Sequence, residues 1–242
     1  MFCYPESCIV DWKKAIANEG LLTPIDWAAE FGNSQPLVIE IGTGNGMWLQ
    51  TYARTHPDCN IIGVEWAGEY VRDVSKRCLR DGIQNVRLIC GDARLLLPFV
   101  FGENLLNAAH IYFPDPWFKK RHKRRRVLNK WFFRMLIRKL APESEIFIAT
   151  DDADYYSYIV GEARAVAAME TVSTDVRHYS ADGVPQTKYE RKWRTMGREI
   201  YYLQLKNALN SQDDAISTEE YVMRQGLQYA YEMLVNKCSS EA

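Results

Sequence analysis

The chain has 242 residues, 47% of them apolar and 25% charged, and its 30 Lys+Arg against 31 Asp+Glu give a net charge of −1. That is room for an ordinary hydrophobic core; it excludes global disorder and collagen-like structure, and the charge total taken alone speaks against a generally basic nucleic-acid or membrane-surface binder. The total hides an asymmetry: Lys119-Lys120-Arg121-His122-Lys123-Arg124-Arg125-Arg126 holds seven Lys/Arg and no acid, which leaves 23 basic groups against 31 acids elsewhere, a body of −8.

Leu37 to Ile41 is a short β-rich run behind Pro36 that ends in Gly42-Thr43-Gly44-Asn45-Gly46, after which Met47, Trp48, Leu49, Tyr52 and Ala53 recur at helical spacing until Pro57. A strand, a glycine turn and a helix are predicted. Residues 60–65 read as a second buried strand, 67–81 as a helix closed by Gly82, 85–90 as a third strand and 93–101 as a short helix around Pro98. A fourth strand, 108–113, runs into Pro114-Asp115-Pro116-Trp117; helix 127–140, strand 145–149 and helix 153–168 continue the alternation. Residues 170–179 and 198–205 read as strands joined by a polar loop with no helix between them, an antiparallel pair at one edge. Strands separated by helices of this length call for right-handed crossovers, so the expected fold is α/β, a doubly wound and mostly parallel sheet with an antiparallel edge hairpin.

Three segments are expected: a helical extension over 1–35, the main domain over 36–206, and a polar linker with an amphipathic helix over 207–242. Ser217 to Glu220 has capping-box spacing ahead of Val222, Met223, Leu227, Ala230, Met233 and Leu234. That helix is expected to dock on its own domain or, as the rarer option, to make a dimer contact, so both monomer and homodimer stay open. No apolar run approaches the ~18 residues of a membrane span. The first residues, with no basic n-region and no apolar h-region, are not expected to form a secretory leader, and the six cysteines (Cys3, Cys8, Cys59, Cys78, Cys90, Cys238) lack zinc-site spacing. A cytoplasmic protein with reduced, packing cysteines and no metal is expected.

Ligands of open α/β sheets bind outside the carboxyl ends of the strands. Each conspicuous acid falls at such an end: Glu40 with Gly42, Gly44 and Gly46 after the first strand, Glu65 after the second, Asp92 after the third, Asp115 after the fourth and Asp151 after the fifth. The glycines let backbone N–H groups approach a ligand at a helix N-terminus. Glu65, nineteen residues past Gly46, is placed to bind ribose hydroxyls, which suits NAD or S-adenosylmethionine equally. Asp92, placed like an acid that meets an adenine amino group, and Glu40, better suited to a cationic methionine end than to a pyrophosphate, favour S-adenosylmethionine. Phe113-Pro114-Asp115-Pro116-Trp117 holds a carboxylate and an indole on a backbone fixed by two prolines. A carboxylate can accept from guanine N1–H and its amino group, and an indole can stack on an unstacked base. The basic run follows at once, so Arg121, Lys123, Arg124, Arg125 and Arg126 are candidate RNA-phosphate contacts.

Glu40-Ile41-Gly42-x-Gly44-x-Gly46, Ile62 to Glu65, Asp92-Ala93, Phe113 to Trp117 with Lys119 and Arg121 to Arg125, Ala149-Thr150-Asp151 and Thr187 to Arg191 together resemble the TrmB-type tRNA (guanine-N7)-methyltransferases over residues 36–206. The resemblance implies a class I, Rossmann-like methyltransferase that moves a methyl group from S-adenosylmethionine to the variable-loop guanosine at position 46 of tRNA. It implies that Glu40, Glu65, Asp92 and Asp115 line the cofactor and catalytic site, and that Lys119, Asp151, Thr187, Lys188, Tyr189 and Glu190 hold the substrate. The chain departs from the pattern at Asp152-Ala153, Val184-Pro185 and Lys192-Trp193-Arg194, all on the substrate side.

Guanine N7 carries a lone pair and no proton, so its attack needs positioning and nearby negative charge, with Asp115 the candidate for both, and no obligatory base. His110 falls inside a strand as a core residue, and His122 within the basic run. Two other readings compete. One is an exocyclic-amine methyltransferase using Asp115-Pro116-Trp117, which the missing second proline after the acid and the basic continuation disfavour. The other is an idle tRNA-binding module, which the intact glycine turn with Glu65 and Asp92 disfavours. An NAD-dependent dehydrogenase would leave Asp92 and the basic run without a role.

Overall fold

In the computed structural model, which describes residues 8–11, 17–18, 21–175, 187–208 and 216–233, strand follows helix from Leu37 onward. The strands are β1 (Leu37–Ile41), β2 (Asn60–Glu65), β3 (Val86–Cys90), β4 (Leu106–Tyr112), β5 (Leu140–Thr150), β6 (Met169–Asp175) and β7 (Tyr201–Asn207). The helices are α1 (Trp27–Phe31), α2 (Met47–Thr55), α3 (Gly68–Arg80), α4 (Ala93–Val100), α5 (Lys130–Lys139), α6 (Ala153–Arg164), α7 (Lys188–Thr195) and α8 (Thr218–Gln225). The seven strands lie in the order β3-β2-β1-β4-β5-β7-β6. The first five are parallel, and β7 runs antiparallel to both its neighbours.

Strand composition explains the layering. All five residues of β1 are buried, as are the first five of β2, which a parallel strand covered on both faces requires. One face packs Trp48 and Leu49 of α2 and Val71, Val74 and Cys78 of α3 against Ile61, Val86 and Leu88. The other buries Leu96 of α4, Phe132, Phe133 and Leu136 of α5 and Ile159 of α6 against Ile39, Ile62, Ile111 and Ile148. This is the doubly wound sheet expected, Rossmann-like in form, and no described helix is long and apolar enough to cross a membrane.

Two expectations are corrected, for the last loop and the tail, and two further elements come into view. The loop between the last two strands contains α7, begun by Thr187, whose hydroxyl accepts from Glu190 N at 3.0 Å. The Thr-x-x-Glu cap spacing is present, but five of the eight residues of Lys188–Thr195 are charged, so the segment reads as a polar loop. The basic run, for which the sequence assigned no element, is a 3-10 helix over Lys120–Arg125. The tail is two helical pieces: Gly226 at φ +66 ends α8, and a second piece covers 228–233. Among the described residues of the amino-terminal extension, Ile9 bridges Leu88 in parallel, a two-residue ladder joins Ala17–Asn18 to Leu21–Leu22, and α1 is five residues long. Strand residues 176–179, Val184-Pro185, the linker at 209–215 and Leu234 lie outside the described residues.

The tail docks on its own domain. Ile216, Tyr221 and Val222 join the hydrophobic cluster of α4 and α5, and Asn129 and Gln225 exchange amide hydrogen bonds at 3.3 and 3.1 Å. Trp27 stacks on Phe101 from the other end of the chain, with ring centroids 5.6 Å apart.

Candidate active site

The turn after β1 is shaped by three left-handed residues, Gly42, Gly44 and Gly46 at φ +82, +49 and +67. They differ in what a side chain would meet. A Cβ on Gly46 would lie 2.7 Å from both Val74 methyls, so that glycine lets α2 pack on α3. A Cβ on Gly42 or Gly44 would meet nothing within 4 Å, so the space on that side of the turn is open to a ligand. Glu65 sets the turn: one carboxylate oxygen accepts from Gly44 N at 2.8 Å and the other from Ala67 N at 2.9 Å. Each oxygen keeps a lone pair for a further donor.

Glu40 lies beneath this turn, 3% exposed, and its Oε2 has no hydrogen-bond partner. Burial, with the charge of Glu65 second, pushes its carboxyl well above the usual carboxylate range. A buried, unpartnered acceptor beside an open glycine turn fits a cationic ligand group, as the ammonium of S-adenosylmethionine is. At the end of β3, Asp92 caps α4 by accepting from Arg94 N at 2.9 Å and grips the Arg94 guanidinium at 2.5 Å. Arg94, not anticipated, therefore shares the acid expected to meet adenine. Tyr221 of the tail also reaches this corner, since Asp92 adds to the burial that raises its hydroxyl. Trp66, 73% exposed, follows Glu65 directly and offers an open indole face at the mouth.

His110 in β4 stays inside the sheet, stacked on Phe147 at 4.8 Å and bonded through Nδ1 to the Tyr112 hydroxyl at 2.8 Å. Burial depresses its pKa to about 3, so it is neutral and remote from general-base duty. After β4 the chain turns sharply. Phe113 and Trp117, bulky residues at φ +52 and +46, bracket Pro114-Asp115-Pro116. Such torsions are uncommon outside glycine and persist where surrounding contacts impose them. Phe113 N donates to Ala149 O at 2.7 Å, and Asp115 is left exposed.

The 3-10 helix follows, with Lys119 as its cap and Lys119, Lys120, Arg121, Lys123, Arg124 and Arg125 all exposed. Arg125 lies over the Trp117 ring at 5.0 Å and His122 meets its edge at 5.8 Å, so the indole is held by the basic run. Arg126 breaks the pattern. It is 4% exposed, its Nε donates to Pro116 O at 2.8 Å, and its guanidinium lies over Tyr155 and Tyr158 at 4.5 and 4.9 Å. The expected RNA contact at Arg126 is thus corrected, because its charge faces the core.

Beyond β5, Asp151 pairs with Arg198 at 3.2 Å, and Asp152, where the chain departs from the family pattern, caps α6 by accepting from Tyr155 N at 2.6 Å. In α7 the four residues expected to hold substrate divide. Lys188 and Tyr189 face outward, the latter with its ring 6.1 Å from Phe113, so α7 leans against the Pro-Asp-Pro corner. Thr187 is spent on the helix cap. Glu190 is buried, accepting from the Tyr202 hydroxyl at 2.9 Å and pairing with Arg194 at 2.5 Å, so its carboxylate faces the protein and steadies the helix.

A family profile described as "Putative methyltransferase" matches residues 34–203. Over 184 residues the chain is 37% identical to the tRNA (guanine-N(7)-)-methyltransferase of Myxococcus xanthus (strain DK1622), covering 76% of this chain and 89% of that one. It is 34% identical over 183 residues to the protein of the same name from Lactobacillus delbrueckii subsp. bulgaricus, covering 74% and 84%. Among solved structures, the 16S rRNA methyltransferase KamB superposes with a TM-score of 0.59 at 14% identity, over 78% of this chain and 96% of that one. The antibiotic-resistance methyltransferase Kmr gives 0.55 at 21% identity, over 77% and 93%. At such identities the structural likeness concerns the fold.

Proposed function

Because the chain belongs to the tRNA (guanine-N7)-methyltransferase family, we propose that it transfers a methyl group from S-adenosylmethionine to N7 of guanine in tRNA, with the variable-loop guanine at position 46 as its target. The observation that carries this reading is a juxtaposition at the strand ends. Glu40, with a buried oxygen lacking any partner, lies under the open glycine turn, while the adjoining β4 ends in an exposed Asp115 that continues into an exposed basic helix.

When bound, S-adenosylmethionine supplies an electrophilic methyl group on a sulfonium. The residues of this chain hold and orient. Glu40 would hold the ammonium end, its proton passing to solvent as the ion pair forms. Glu65 would offer its remaining lone pairs to ribose hydroxyls, and Asp92 would turn what Arg94 leaves of its acceptor capacity toward adenine. Asp115 accepts from the N1–H and amino group of the guanine and offsets the positive charge that grows on the ring as N7 is alkylated. No proton leaves N7, so a neutral, buried His110 is consistent with the step. The six exposed cations of Lys119 to Arg125 would run along the RNA backbone, and Tyr189 of α7 lies near the same corner through its contact with Phe113.

The test is to incubate the protein with an unmodified tRNA transcript and methyl-labelled S-adenosylmethionine, then cleave with borohydride and aniline. Label at a single cleavable guanine is expected. Label on an adenine amine would make the protein an exocyclic-amine methyltransferase, and no transfer would make it a binding module.

A further inference from the structure

The basic run ends on a residue that does something other than the rest. Six cations from Lys119 to Arg125 point to solvent, whereas Arg126 caps the carboxyl end of the 3-10 helix and turns inward. Its guanidinium lies against two tyrosine rings, Tyr155 and Tyr158, three residues apart on α6, and its Nε donates to the carbonyl of Pro116. Among the described residues no acid forms an ion pair with it. The carbonyl it holds belongs to the residue after Asp115, inside a corner bracketed by Phe113 and Trp117 at positive φ. A corner with such torsions needs clamps at both ends. The amino-terminal clamp is Phe113 N to Ala149 O, and the carboxyl-terminal one is Arg126 to Pro116 O. Tyr155 ties the parts together: burial raises its hydroxyl, the charge of Arg126 opposes that rise and the charge of Asp115 adds to it, so both charges reach one oxygen.

We propose that Arg126 is a positioning residue for Asp115: through the Pro116 carbonyl and the Tyr155–Tyr158 ring pair it holds the Pro-Asp-Pro corner in the conformation that presents the carboxylate to guanine, and it makes no contact with RNA. Lysine cannot substitute, because its point charge lacks the Nε–H donor and the flat face that lies on the rings. The inference rests on the methyltransferase reading and makes it more specific. It also joins substrate docking to chemistry in one piece of chain, since the residue that clamps Asp115 is the cap of the helix that presents the phosphate-binding cations.

The experiment uses the full chain, unmodified tRNA transcript and labelled S-adenosylmethionine. Arg126→Lys and Arg126→Ala are expected to lower kcat by about 10- to 100-fold, to leave KM for tRNA within about threefold, and to leave the slope of log KM against log salt unchanged. Affinity for S-adenosylmethionine, measured by calorimetry, should stay within about threefold. Arg124→Ala should show the opposite split, with KM raised, the slope shallower and kcat kept. Tyr158→Leu removes one ring face and leaves the charge and its hydrogen bond, so it reports on the clamp even where an Arg126 variant fails to fold; a smaller fall in kcat at unchanged KM is expected. A wild-type kcat in Arg126→Lys or Tyr158→Leu overturns the proposal, as does a flattened salt slope in either Arg126 variant, which would return the residue to the RNA track. Absence of N7 methylation by the wild-type chain would instead refute the underlying function.

Discussion

Glu40 is a carboxyl whose burial opposes folding. Its folded pKa lies well above the ordinary 4.5, so the unfolded chain loses its proton first. The resulting penalty is absent below about pH 4.5 and grows as pH rises toward the folded value. Glu40→Gln removes that penalty and is expected to raise the Tm of the ligand-free protein by about 2–4 °C near neutral pH, by differential scanning calorimetry. The same change should weaken S-adenosylmethionine by roughly 10-fold or more, the worth of a charge-assisted hydrogen bond. Binding to the wild-type chain should release a proton, visible as a buffer-dependent heat in titration calorimetry, and the release should vanish in the variant. Unaltered affinity in Glu40→Gln would remove the acid from the cofactor site. For Asp115→Asn, kcat is expected to fall by about 100-fold with S-adenosylmethionine affinity kept within about threefold; comparable turnover would assign the charge-offsetting role elsewhere. The identity and strand-end position of both acids were legible in the sequence, because they follow from the period of the strands. Arg126 was not, because a run of like residues shows charge and gives no direction. The available signal was its junction with Val127-Leu128, the first residues after the run to turn toward the core.

At the scale of elements, the 3-10 helix concentrates like charges at a spacing where neighbours repel. It is held by its ends and by Trp117, whose ring carries Arg125 and His122. Such a helix relieves its repulsion when phosphates arrive, so its cations should govern the salt dependence of tRNA binding. Replacing Lys120, Lys123 and Arg124 together by Ala is expected to flatten the slope of log K against log salt by roughly 2 to 3, measured by filter binding or fluorescence anisotropy across a salt series; an unchanged slope would make the helix an ordinary solvated surface. The same helix shows why some elements escaped the sequence. Strand and helix periods mark elements that bury a face, and β1 to β5 with α2 to α6 do so. The 3-10 helix and α7 bury little, and their order comes from caps and ion pairs, Thr187 to Glu190 N and Glu190 to Arg194. Neither leaves an apolar rhythm to read.

For the whole molecule, strand and helix alternation was enough to place five acids after the carboxyl ends of five neighbouring parallel strands, because the crossover rule and the strand-end rule leave little freedom. Where the tail goes was not decided by its amphipathic pattern, since a polar linker permits many docking faces. Tyr221, fully buried, answers it by filling the surface between α4 and α5 beside Asp92. Tyr221→Ala is expected to destabilise the protein by about 3–5 kcal/mol, read as a fall in Tm and in the denaturation midpoint; a Tm shift under about 2 °C would show that the tail is a dispensable appendage. The charge arrangement is likewise a property of the whole: a body of −8 repels a polyanion except where the basic helix and the Pro-Asp-Pro corner adjoin.

Residues 8–10 have a consequence of a different kind. Val10 N donates to Leu88 O and Leu88 N to Cys8 O, both at 2.8 Å, along the outer side of β3. An open strand of this composition, Val-Arg-Leu-Ile-Cys, would otherwise present free amides and carbonyls to any extended segment that met it, including the same strand of another molecule. The amino-terminal segment occupies that position, so the sheet cannot grow on this side. Trimming the chain to begin after residue 11 should therefore show first as self-association on concentration, with the Leu88 amide losing its protection from hydrogen exchange, before any loss of methyl transfer.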